Sequence, residues 1–342
     1  MTKITEYIEI ILEGNDLSFE QAKQLLDTIF EGEVAEVQIA AFLAAMRAKK
    51  ASVTEIAGLA SSLRDHAVSV KVNAAPLVDT CGTGGAALKT FNISTAAAFV
   101  ASGAGVYVAK HGNKGITSQC GSADVLTALG VNIAPGPERV AECIEKAHIG
   151  FMFAPKFHPA MKHVQPIRQS LDFRTAFNIL GPLANPARAD AQVLGVAEES
   201  LMPRMIDTLK MLGLKRAMVV HSNGLDEIST MGPTKVMHLK NDEVCSEEIE
   251  PTQYGFPLAD FSDLAGGDAQ ANAQIIRDIL SGTETGPKKD IVLFNAAATI
   301  IVSGSAKDFV EGIEKADAAV CNGNAMDCLN KLIEISNCET PV

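Results

Sequence analysis

Residues 79–85, Asp-Thr-Cys-Gly-Thr-Gly-Gly, and residues 92–95, Asn-Ile-Ser-Thr, join a strand to a helix through a glycine-containing loop. Leu-Val-Asp at 77–79 is typical of the end of a short buried strand, and the apolar run that begins at Ser94 indicates a helix. The glycines between them let the backbone approach a ligand that side chains would keep away. Because free N–H groups and the positive end of the helix dipole face such a loop, the stretch predicts an anion site in an α/β protein.

The glycine loop alone leaves a second interpretation open, since a glycine-rich turn often only packs a strand closely on a helix. The loop lacks the Gly-Lys-Ser/Thr ending of a Walker loop and the Gly-x-Gly-x-x-Gly spacing of dinucleotide-binding folds. The choice between packing and anion binding therefore depends on the rest of the chain.

A second glycine-containing loop favours the anion site. Residues 106–109, Val-Tyr-Val-Ala, predict a buried strand that leads into residues 110–124, Lys-His-Gly-Asn-Lys-Gly-Ile-Thr-Ser-Gln-Cys-Gly-Ser-Ala-Asp. Ser122 is expected to be the N-cap of a helix over residues 123–129. Ligands of open α/β sheets lie beyond the carboxyl ends of the strands, so the two loops can converge on one multiply charged ligand.

A third strand end carries adjacent carboxylates. Residues 219–229, Val-Val-His-Ser-Asn-Gly-Leu-Asp-Glu-Ile-Ser, predict an apolar strand followed by a turn that presents Asp226 and Glu227. Such pairs are common on solvated surfaces, but these two stand beside two phosphate-type loops. Magnesium is typically shared between one or two carboxylates and substrate phosphates, which makes the pair a candidate metal site.

Composition excludes several classes of protein. The 342 residues allow a large core and two domains. Non-specific nucleic-acid binding requires Lys and Arg side chains that neutralise phosphates, and the net charge of −12 argues against it. We expect no signal peptide and no membrane span, because the apolar runs are too short to cross a bilayer. The seven cysteines have neither a zinc spacing nor a secreted disulfide pattern, which favours a reduced, cytoplasmic setting.

The order of patterns predicts an α/β protein with a small N-terminal helical domain and a larger α/β domain. Capping boxes begin helices at Ser18 and Ser52, and residues 33–49 are interpreted as an alanine-rich amphipathic helix. The helical region is expected at 1–68 and the α/β domain at 75–342. Strand-like runs near 77–79, 105–109, 192–197 and 217–221 alternate with helices, which predicts a mostly parallel central sheet flanked by helices.

The motifs together resemble the anthranilate phosphoribosyltransferase family of tryptophan biosynthesis. The resemblance runs in order along most of the chain and rests on Gly82-Thr-Gly-Gly85, Asn92-Ile-Ser-Thr95, Lys110-His-Gly-Asn113, Phe153-Ala-Pro155, His158-Pro-Ala-Met-Lys162, Arg168, Arg174-Thr, Phe177-Asn-Ile-Leu-Gly-Pro182-Leu, Asn185-Pro186 and Gly224-Leu-Asp-Glu-Ile-Ser229. It implies a homodimer that transfers phosphoribose from phosphoribosyl pyrophosphate to anthranilate with Mg²⁺. It also implies that a segment near 165–185 crosses back onto the N-terminal helices.

The resemblance assigns roles to individual positions. Magnesium would be held by Ser94, Asp226 and Glu227, and the catalytic candidates are His111, Asn113 and Arg168. Arg168 would match the anthranilate carboxylate with its planar fork, while His111 would accept the amine proton or orient the substrate. The substrate-binding positions are Gly82, Gly84, Gly85, Thr90, Asn92, Ile93, Ser94, Thr95, Lys110, His111, Gly112, Asn113, Lys114, Thr117, Ser118, Ser122, His158, Arg168 and Pro182.

Three loop positions depart from the family pattern. Relatives usually carry Asp at the position of Ala86, Arg at that of Lys114 and Lys at that of Gln119. Replacing Arg with Lys keeps the charge but loses planar bidentate contact with phosphate, so we expect altered affinity and metal dependence rather than another reaction. Lys89 is a candidate to restore positive charge on the first loop.

Two other functions remain open from the sequence. A pyrimidine nucleoside phosphorylase-like enzyme would share the fold, but its Lys-x-Ser-Thr-Gly-Gly type of loop is absent here. A non-catalytic nucleic-acid-binding relative would be expected to lose the carboxylate pair and gain a basic groove. This chain keeps Asp226 and Glu227 and is acidic.

Overall fold

The structure, a computed structural model, describes residues 3–115 and 119–338. Its first four helices are α1 (Lys3–Leu12), α2 (Phe19–Phe30), α3 (Glu36–Lys49) and α4 (Val53–Asp65). Ser18 and Ser52 are the N-caps of α2 and α4, and each makes the reciprocal hydrogen bonds of a capping box. Both predicted capping boxes are therefore confirmed.

Helix α3 is not amphipathic, and the prediction from its sequence was wrong on this point. One side of the helix is buried and contributes Ile39, Phe42, Leu43 and Met46 to the core. The opposite side is exposed but not polar, since it consists largely of Val37, Ala41, Ala44 and Ala48. Alanine favours the helix without supplying the polar face that an amphipathic helix requires.

A seven-stranded sheet follows the helical region. Its strands are β1 (Leu77–Gly82), β2 (Tyr107–Gly112), β3 (Ile149–Phe153), β4 (Ala191–Gly195), β5 (Arg216–Ser222), β6 (Thr234–Lys240) and β7 (Glu243–Ile249). The strand order is β3-β2-β1-β4-β5-β6-β7, with β1 to β5 parallel and β6 and β7 antiparallel. The predicted mostly parallel sheet is confirmed, although the sequence reading omitted β3 and the β6–β7 hairpin.

Helices flank both faces of this sheet. They are α5 (Ile93–Gly103), α6 (Ser122–Ala128), α7 (Pro137–Ala147), α8 (Ala154–Phe157), α9 (Gln165–Leu171), α10 (Phe177–Leu180), α11 (Met202–Met211), α12 (Phe261–Leu264), α13 (Ala269–Leu280), α14 (Pro287–Ser303), α15 (Phe309–Cys321) and α16 (Asn324–Asn337). Within residues 3–115 and 119–338, no helix combines the length and apolarity needed to cross a membrane.

The two faces of the sheet belong to different cores. On one face, Phe99 of α5 and Phe294 of α14 pack with Val193 and Val220. On the other face, Leu194 and Val219 share a core with the N-terminal helices, and the segment before β4 adds Val164, Ile167, Phe177, Leu180 and Leu183 to it. Residues 164–183 therefore pack on the helical region, whereas the domain limits 1–68 and 75–342 stay a prediction.

The strand order places a topological switch between β1 and β4. The chain proceeds outward from β1 through β2 to β3, and then returns to the other side of β1 to form β4 and β5. In sheets of this kind, the crevice at the carboxyl ends of the two central strands is the usual ligand site. Residues that follow Gly82 and Gly195 are therefore the first to consider.

Candidate active site

The first glycine loop is fixed between the carboxyl ends of β1 and β4. The N–H of Thr83 donates to the carbonyl of Gly195 at 2.9 Å, and the N–H of Gly84 donates to Oδ2 of Asp226 at 2.9 Å. A Cβ on Gly82 would lie 2.2 Å from Oδ2 of Asp226, and one on Gly195 would lie 1.7 Å from the carbonyl oxygen of Asp226. Both strands therefore end in glycine because Asp226 approaches their backbones closely.

The next glycine of this loop contacts the segment before β4. Gly85 has a φ of +81° and lies against Arg174, whose Nη2 donates to its carbonyl at 3.3 Å. A Cβ at Gly85 would overlap this guanidinium at 2.0 Å from Nη2. The other nearby cation, Lys89, donates to the carbonyl of Ala86 at 2.8 Å. Positive charge thus reaches the loop from Lys89, as expected, and also from Arg174, which had no predicted role.

The carboxylate pair follows β5 and faces the start of α5. Glu227 accepts from the backbone N–H of Ser94, but burial and the charge of Asp226 raise the pKa of Glu227 to about 8. Burial and mutual repulsion disfavour the ionisation of both adjacent carboxylates, and a cation between them would offset the burial and the repulsion. The donor set of two carboxylates and the Ser94 hydroxyl is the hard-oxygen chemistry that magnesium prefers.

These carboxylates do not make a complete protein cage for a metal. Among the residues that the structure describes, no group of three His, Cys, Asp or Glu side chains is arranged to hold a metal ion. Magnesium commonly keeps waters and substrate phosphates as ligands, so a two-carboxylate site fits Mg²⁺ bound together with a phosphate.

The N-terminus of α5 presents backbone N–H groups to the same place. Asn92, its N-cap, makes no side-chain cap bond, because its amide donates to the carbonyl of Cys120 at 3.2 Å and its Oδ1 accepts from Asn272 at 3.0 Å. Asn92 thereby joins the helix start to the second loop. Ile93 and Thr95 are buried, and Thr90 lies just before the helix in a bridge with Ala265.

Lys110 at the end of β2 is the buried cation of the site. Its Nζ donates to the carbonyl of Thr80 at 2.6 Å and lies 3.4 Å from Oγ of Ser94. Burial lowers the pKa of Lys110, while Asp79 and Glu227 favour its charged form. Asp79 is itself fully buried, and Asn185 donates to its Oδ2 at 2.8 Å. Asp79 was predicted only as the end of a strand, and its place beneath the site depends on the distant Asn185.

The second loop is held together by Asp124, another residue that the sequence analysis left without a role. Oδ2 of Asp124 accepts from the N–H groups of Gly115 and Gly121 at 2.9 Å each. The N-cap of α6 is Gly121, so the expectation of a Ser122 cap was wrong by one residue. Ser122 instead donates its hydroxyl to the carbonyl of Asn113 at 3.3 Å.

Gly112, Asn113 and Lys114 are other described residues of the second loop that were predicted to bind substrate. Gly112 ends β2, and a Cβ there would lie 2.2 Å from Oγ of Ser122. Asn113 and Lys114 are exposed, with Oδ1 of Asn113 accepting from the N–H of Lys114 at 2.8 Å. The predictions for Thr117 and Ser118 fall outside the described residues.

Two histidines bring the segment before β4 against β2, and Pro182 joins this segment to β4. Nδ1 of His111 lies 3.2 Å from the carbonyl oxygen of Gly181, and the rings of His111 and His158 are 5.0 Å apart. Burial lowers the pKa of His111 to about 3 and that of His158 to about 4. Pro182 accepts from Gln192 of β4 at 2.7 Å. Both histidines are therefore neutral near pH 7, and His111 is a weak base.

Arg168 lies on α9 and is partly buried. Its guanidinium is 5.4 Å from the centre of the Phe177 ring, and Nη1 donates to Gln165 at 3.2 Å. Within residues 3–115 and 119–338, no ion pair joins Arg168 to a carboxylate. The structure gives no hydrogen bond between Arg168 and either described part of the glycine loops. Its predicted contact with substrate stays a prediction.

Comparison with known proteins places this geometry in a family. The helical bundle domain of a glycosyl transferase family matches residues 5–67, and the a/b domain of that family matches residues 74–326. An anthranilate phosphoribosyltransferase from Alkaliphilus metalliredigens is 50% identical over 330 residues, which cover 96% of this chain and 97% of the relative. The chain belongs to the anthranilate phosphoribosyltransferase family.

Other members of the anthranilate phosphoribosyltransferase family agree in sequence and structure. The enzyme of Methanocorpusculum labreanum is 49% identical over 97% of this chain and 98% of its own length. The crystal structure from Thermus thermophilus has a TM-score of 0.92 and 38% identity, covering 97% of this chain and 99% of that one. The Saccharomyces cerevisiae enzyme in complex with PRPP and Mg has a TM-score of 0.89 and 30% identity, covering 97% of each chain.

Proposed function

We propose that this protein is an anthranilate phosphoribosyltransferase. It transfers phosphoribose from 5-phosphoribosyl 1-pyrophosphate to the amine of anthranilate, which yields N-(5-phosphoribosyl)anthranilate and pyrophosphate in the second step of tryptophan synthesis from chorismate. The observation that carries this proposal is the hydrogen bond from Gly84 to Asp226, which joins a phosphate-type loop to a carboxylate pair at the switch point of the sheet. The full-length relatives of the same name support it.

The glycine loop and the start of α5 would hold the phosphates. The loop and the helix start offer backbone N–H groups, and the helix dipole favours negative charge at its N-terminus. Lys110 contributes a buried cation against Ser94. As the C1–O bond breaks, its electron pair leaves on pyrophosphate, and these fixed donors stabilise the growing charge.

Asp226, Glu227 and Ser94 would hold Mg²⁺, which supplies charge neutralisation to the leaving pyrophosphate when bound. The solved structure of a yeast relative in complex with PRPP and Mg supports a role for Mg²⁺ here. In this chain, Glu227 is half-buried beside Asp226 and therefore gains most from a cation.

Anthranilate would bind between the segment that carries Arg168 and the second loop. A planar guanidinium matches a carboxylate with two parallel hydrogen bonds, and the carboxylate of anthranilate offers that partner. The aromatic amine is neutral near pH 7, so its lone pair is free to form the bond to C1, and the proton that the nitrogen then loses passes to the released pyrophosphate or to water. His111 and Asn113 would orient this ring. Of the two roles considered for His111, orientation is favoured, because its lowered pKa makes it a poor proton acceptor.

The protein would act as a homodimer in the cytoplasm. The exposed apolar side of α3, from Val37 to Ala48, is unlike the surface of a solvated helix and is a candidate for burial against a second copy. The acidic composition and the cysteine spacing agree with the cytoplasmic location.

The experiment that tests the proposed function follows the loss of anthranilate fluorescence. The protein is mixed with anthranilate, phosphoribosyl pyrophosphate and Mg²⁺, and each component is then omitted in turn. The chain contains no tryptophan, so protein emission interferes little with the signal. We expect signal loss only in the complete mixture, with release of one pyrophosphate per anthranilate consumed. Consumption of a pyrimidine nucleoside with inorganic phosphate, and none of anthranilate, would contradict the proposal.

A further inference from the structure

A cavity of about 970 Å³ lies at the edge of the sheet opposite the candidate active site. One wall is a face of the sheet, formed by residues of β5, β6 and β7 that include Arg216, the first residue of β5. The other wall is formed by the end of α14 and the start of α15. The candidate site follows Ser222 at the far end of β5. At about 3.3 Å per residue, the length of β5 separates the two places by about 20 Å.

The sheet wall combines cations with apolar groups. Arg216 and Met218 project from β5 on the side from which His238 and Lys240 project on β6, in keeping with the alternation of strands. Apolar surface across the cavity comes from α14, α15 and the turn after β7, through residues such as Tyr254, Ile301, Val302, Phe309 and Val310.

Arg216 and Lys240 lie directly opposite each other on the antiparallel β5–β6 pair. Like charges in this arrangement destabilise a sheet. In the described part of the chain, neither of them forms an ion pair with an acidic side chain within 4.0 Å. The guanidinium of Arg216 lies against Gly304 at the end of α14, where the helix dipole offsets part of its charge. Lys240 lies opposite Glu243 of β7, but the two do not form an ion pair.

Each acidic residue of the cavity has a partner of its own. Glu247 lies 2.6 Å from Nε2 of His238, and Asp308 accepts the backbone N–H of Glu311 at 2.9 Å as the N-cap of α15. Glu311 pairs with Lys315 at 2.7 Å. The lining cation Lys307 lies 3.9 Å from Asp308, so Arg216 and Lys240 are the lysine and arginine side chains of the cavity without an ion pair in the described part of the chain.

We propose that this cavity binds a small organic anion with an apolar body, such as an arylalkyl carboxylate. The carboxylate lies between Arg216 and Lys240, and the apolar body covers side chains of α14 and α15 that line the same space. The volume is within the range of small-molecule sites, which combine apolar walls with a few placed charges. The inference does not depend on the proposed transferase activity.

The test is calorimetric titration of the full-length protein with 3-phenylpropionate and with 3-phenylpropanamide, its neutral analogue. We expect the acid to bind one site per chain and the amide to bind at least tenfold more weakly. Arg216→Gln and Lys240→Gln should each weaken binding of the acid at least tenfold. The control Lys215→Gln removes an exposed cation that pairs with Asp242 outside the cavity, and it should leave the affinity unchanged.

A second control separates the cavity from the candidate active site. Arg168→Ala should leave binding of 3-phenylpropionate unchanged, because Arg168 does not line the cavity. Equal affinity for acid and amide, no binding of the acid, or loss in Arg168→Ala with retention in Arg216→Gln would each overturn the proposal. Lys240 is exposed, so its variant should fold, and thermal melting of every variant checks this.

Discussion

The backbone N–H of Gly84 and the carboxylate Oδ2 of Asp226 are joined by a hydrogen bond of 2.9 Å, although 142 positions separate them in the chain. Asp226 therefore has two tasks. Its oxygen fixes the backbone of the phosphate-type loop, and its charge belongs to the candidate metal pair with Glu227. The two tasks respond differently to substitution.

Two variants of Asp226 should separate charge from position. Asp226→Asn keeps an oxygen that can accept from Gly84 but removes the charge, whereas Asp226→Ala removes both. We expect Asp226→Asn to need more Mg²⁺ for turnover with little change in thermal stability. Asp226→Ala should also lose about 1–3 kcal/mol of folding free energy, because the Gly84 N–H loses its partner. Magnesium titrations and denaturant melts measure the two effects.

Removal of both carboxylates gives the stronger test of the metal assignment. The double variant Asp226→Asn with Glu227→Gln should abolish turnover supported by Mg²⁺. Turnover at the wild-type rate in this variant would refute the assignment of the pair as metal ligands.

Gly195 should tolerate no side chain, because Asp226 fills the space beside it. A Cβ at this position would lie 1.7 Å from the carbonyl oxygen of Asp226, and the turn after β5 would have to move. We expect Gly195→Ala to cost about 1–3 kcal/mol in denaturant unfolding and to reduce turnover. Gly232→Ala is the matched control, since no heavy atom lies within 4 Å of its added Cβ. Equal stability of the two variants would contradict the close approach of Asp226.

The residues at strand ends could be predicted from the sequence because their signals are local. Three glycines between a buried strand and a helix, and two carboxylates after another strand, indicate a candidate phosphate and metal site once the strands are parallel. Local signals were weaker for β7, because its residues from Glu243 to Glu248 are exposed and show no apolar pattern. They were also weaker for β3, because this apolar strand is only five residues long. Alanine misled the interpretation of α3, because an alanine-rich helix can be exposed without being polar.

The site residues that were not predicted from the sequence act through contacts between distant segments. Arg174 reaches Gly85 from 89 positions away, and Asp79 depends on Asn185 from 106 positions away. Neither contact has a periodicity or spacing that a single sequence displays. Asp124 was closer, since it lies three residues after Gly121, but its bond to Gly115 depends on the path of the loop.

Arg174 should affect phosphoribosyl pyrophosphate more than anthranilate. Its guanidinium lies on the phosphate-type loop, and its nearest acidic group, Glu198, is 3.9 Å away. We expect Arg174→Ala to raise the KM for phosphoribosyl pyrophosphate about tenfold or more and to leave the KM for anthranilate within about twofold. Arg174→Lys should recover part of the loss, because it keeps the charge without the planar fork. An equal rise in both KM values would show that Arg174 only holds the loop in place.

Arg168 should give the opposite pattern. Its guanidinium rests on Phe177 and forms no ion pair with a described carboxylate, so its charge is available to a substrate carboxylate. We expect Arg168→Ala to raise the KM for anthranilate about tenfold or more, with a much smaller effect on phosphoribosyl pyrophosphate. Steady-state kinetics with each substrate varied in turn measures this. Equal losses for both substrates would count against a carboxylate-binding role.

His158 should make folding stability fall as the pH is lowered below neutrality. Burial lowers its pKa from 6.5 to about 4, so between these values the unfolded chain binds a proton that the folded chain does not. Stability therefore rises with pH through this window. Between pH 7.5 and 5.5, the contribution of His158 to the free energy of unfolding should fall by about 1.4 kcal/mol.

The wild-type protein alone cannot reveal this contribution, because Asp79 and Glu227 oppose it and His111 adds to it. Burial raises the pKa of Asp79 to about 6, so folded Asp79 takes up a proton in the same window and gains stability on acidification. The difference between wild type and His158→Gln removes these other contributions, since the three groups are common to both proteins. We expect the stability advantage of wild type over His158→Gln to shrink by about 1.4 kcal/mol between pH 7.5 and 5.5 in urea unfolding. A pH-independent difference would mean that folded His158 titrates near its ordinary pKa and is not excluded from water.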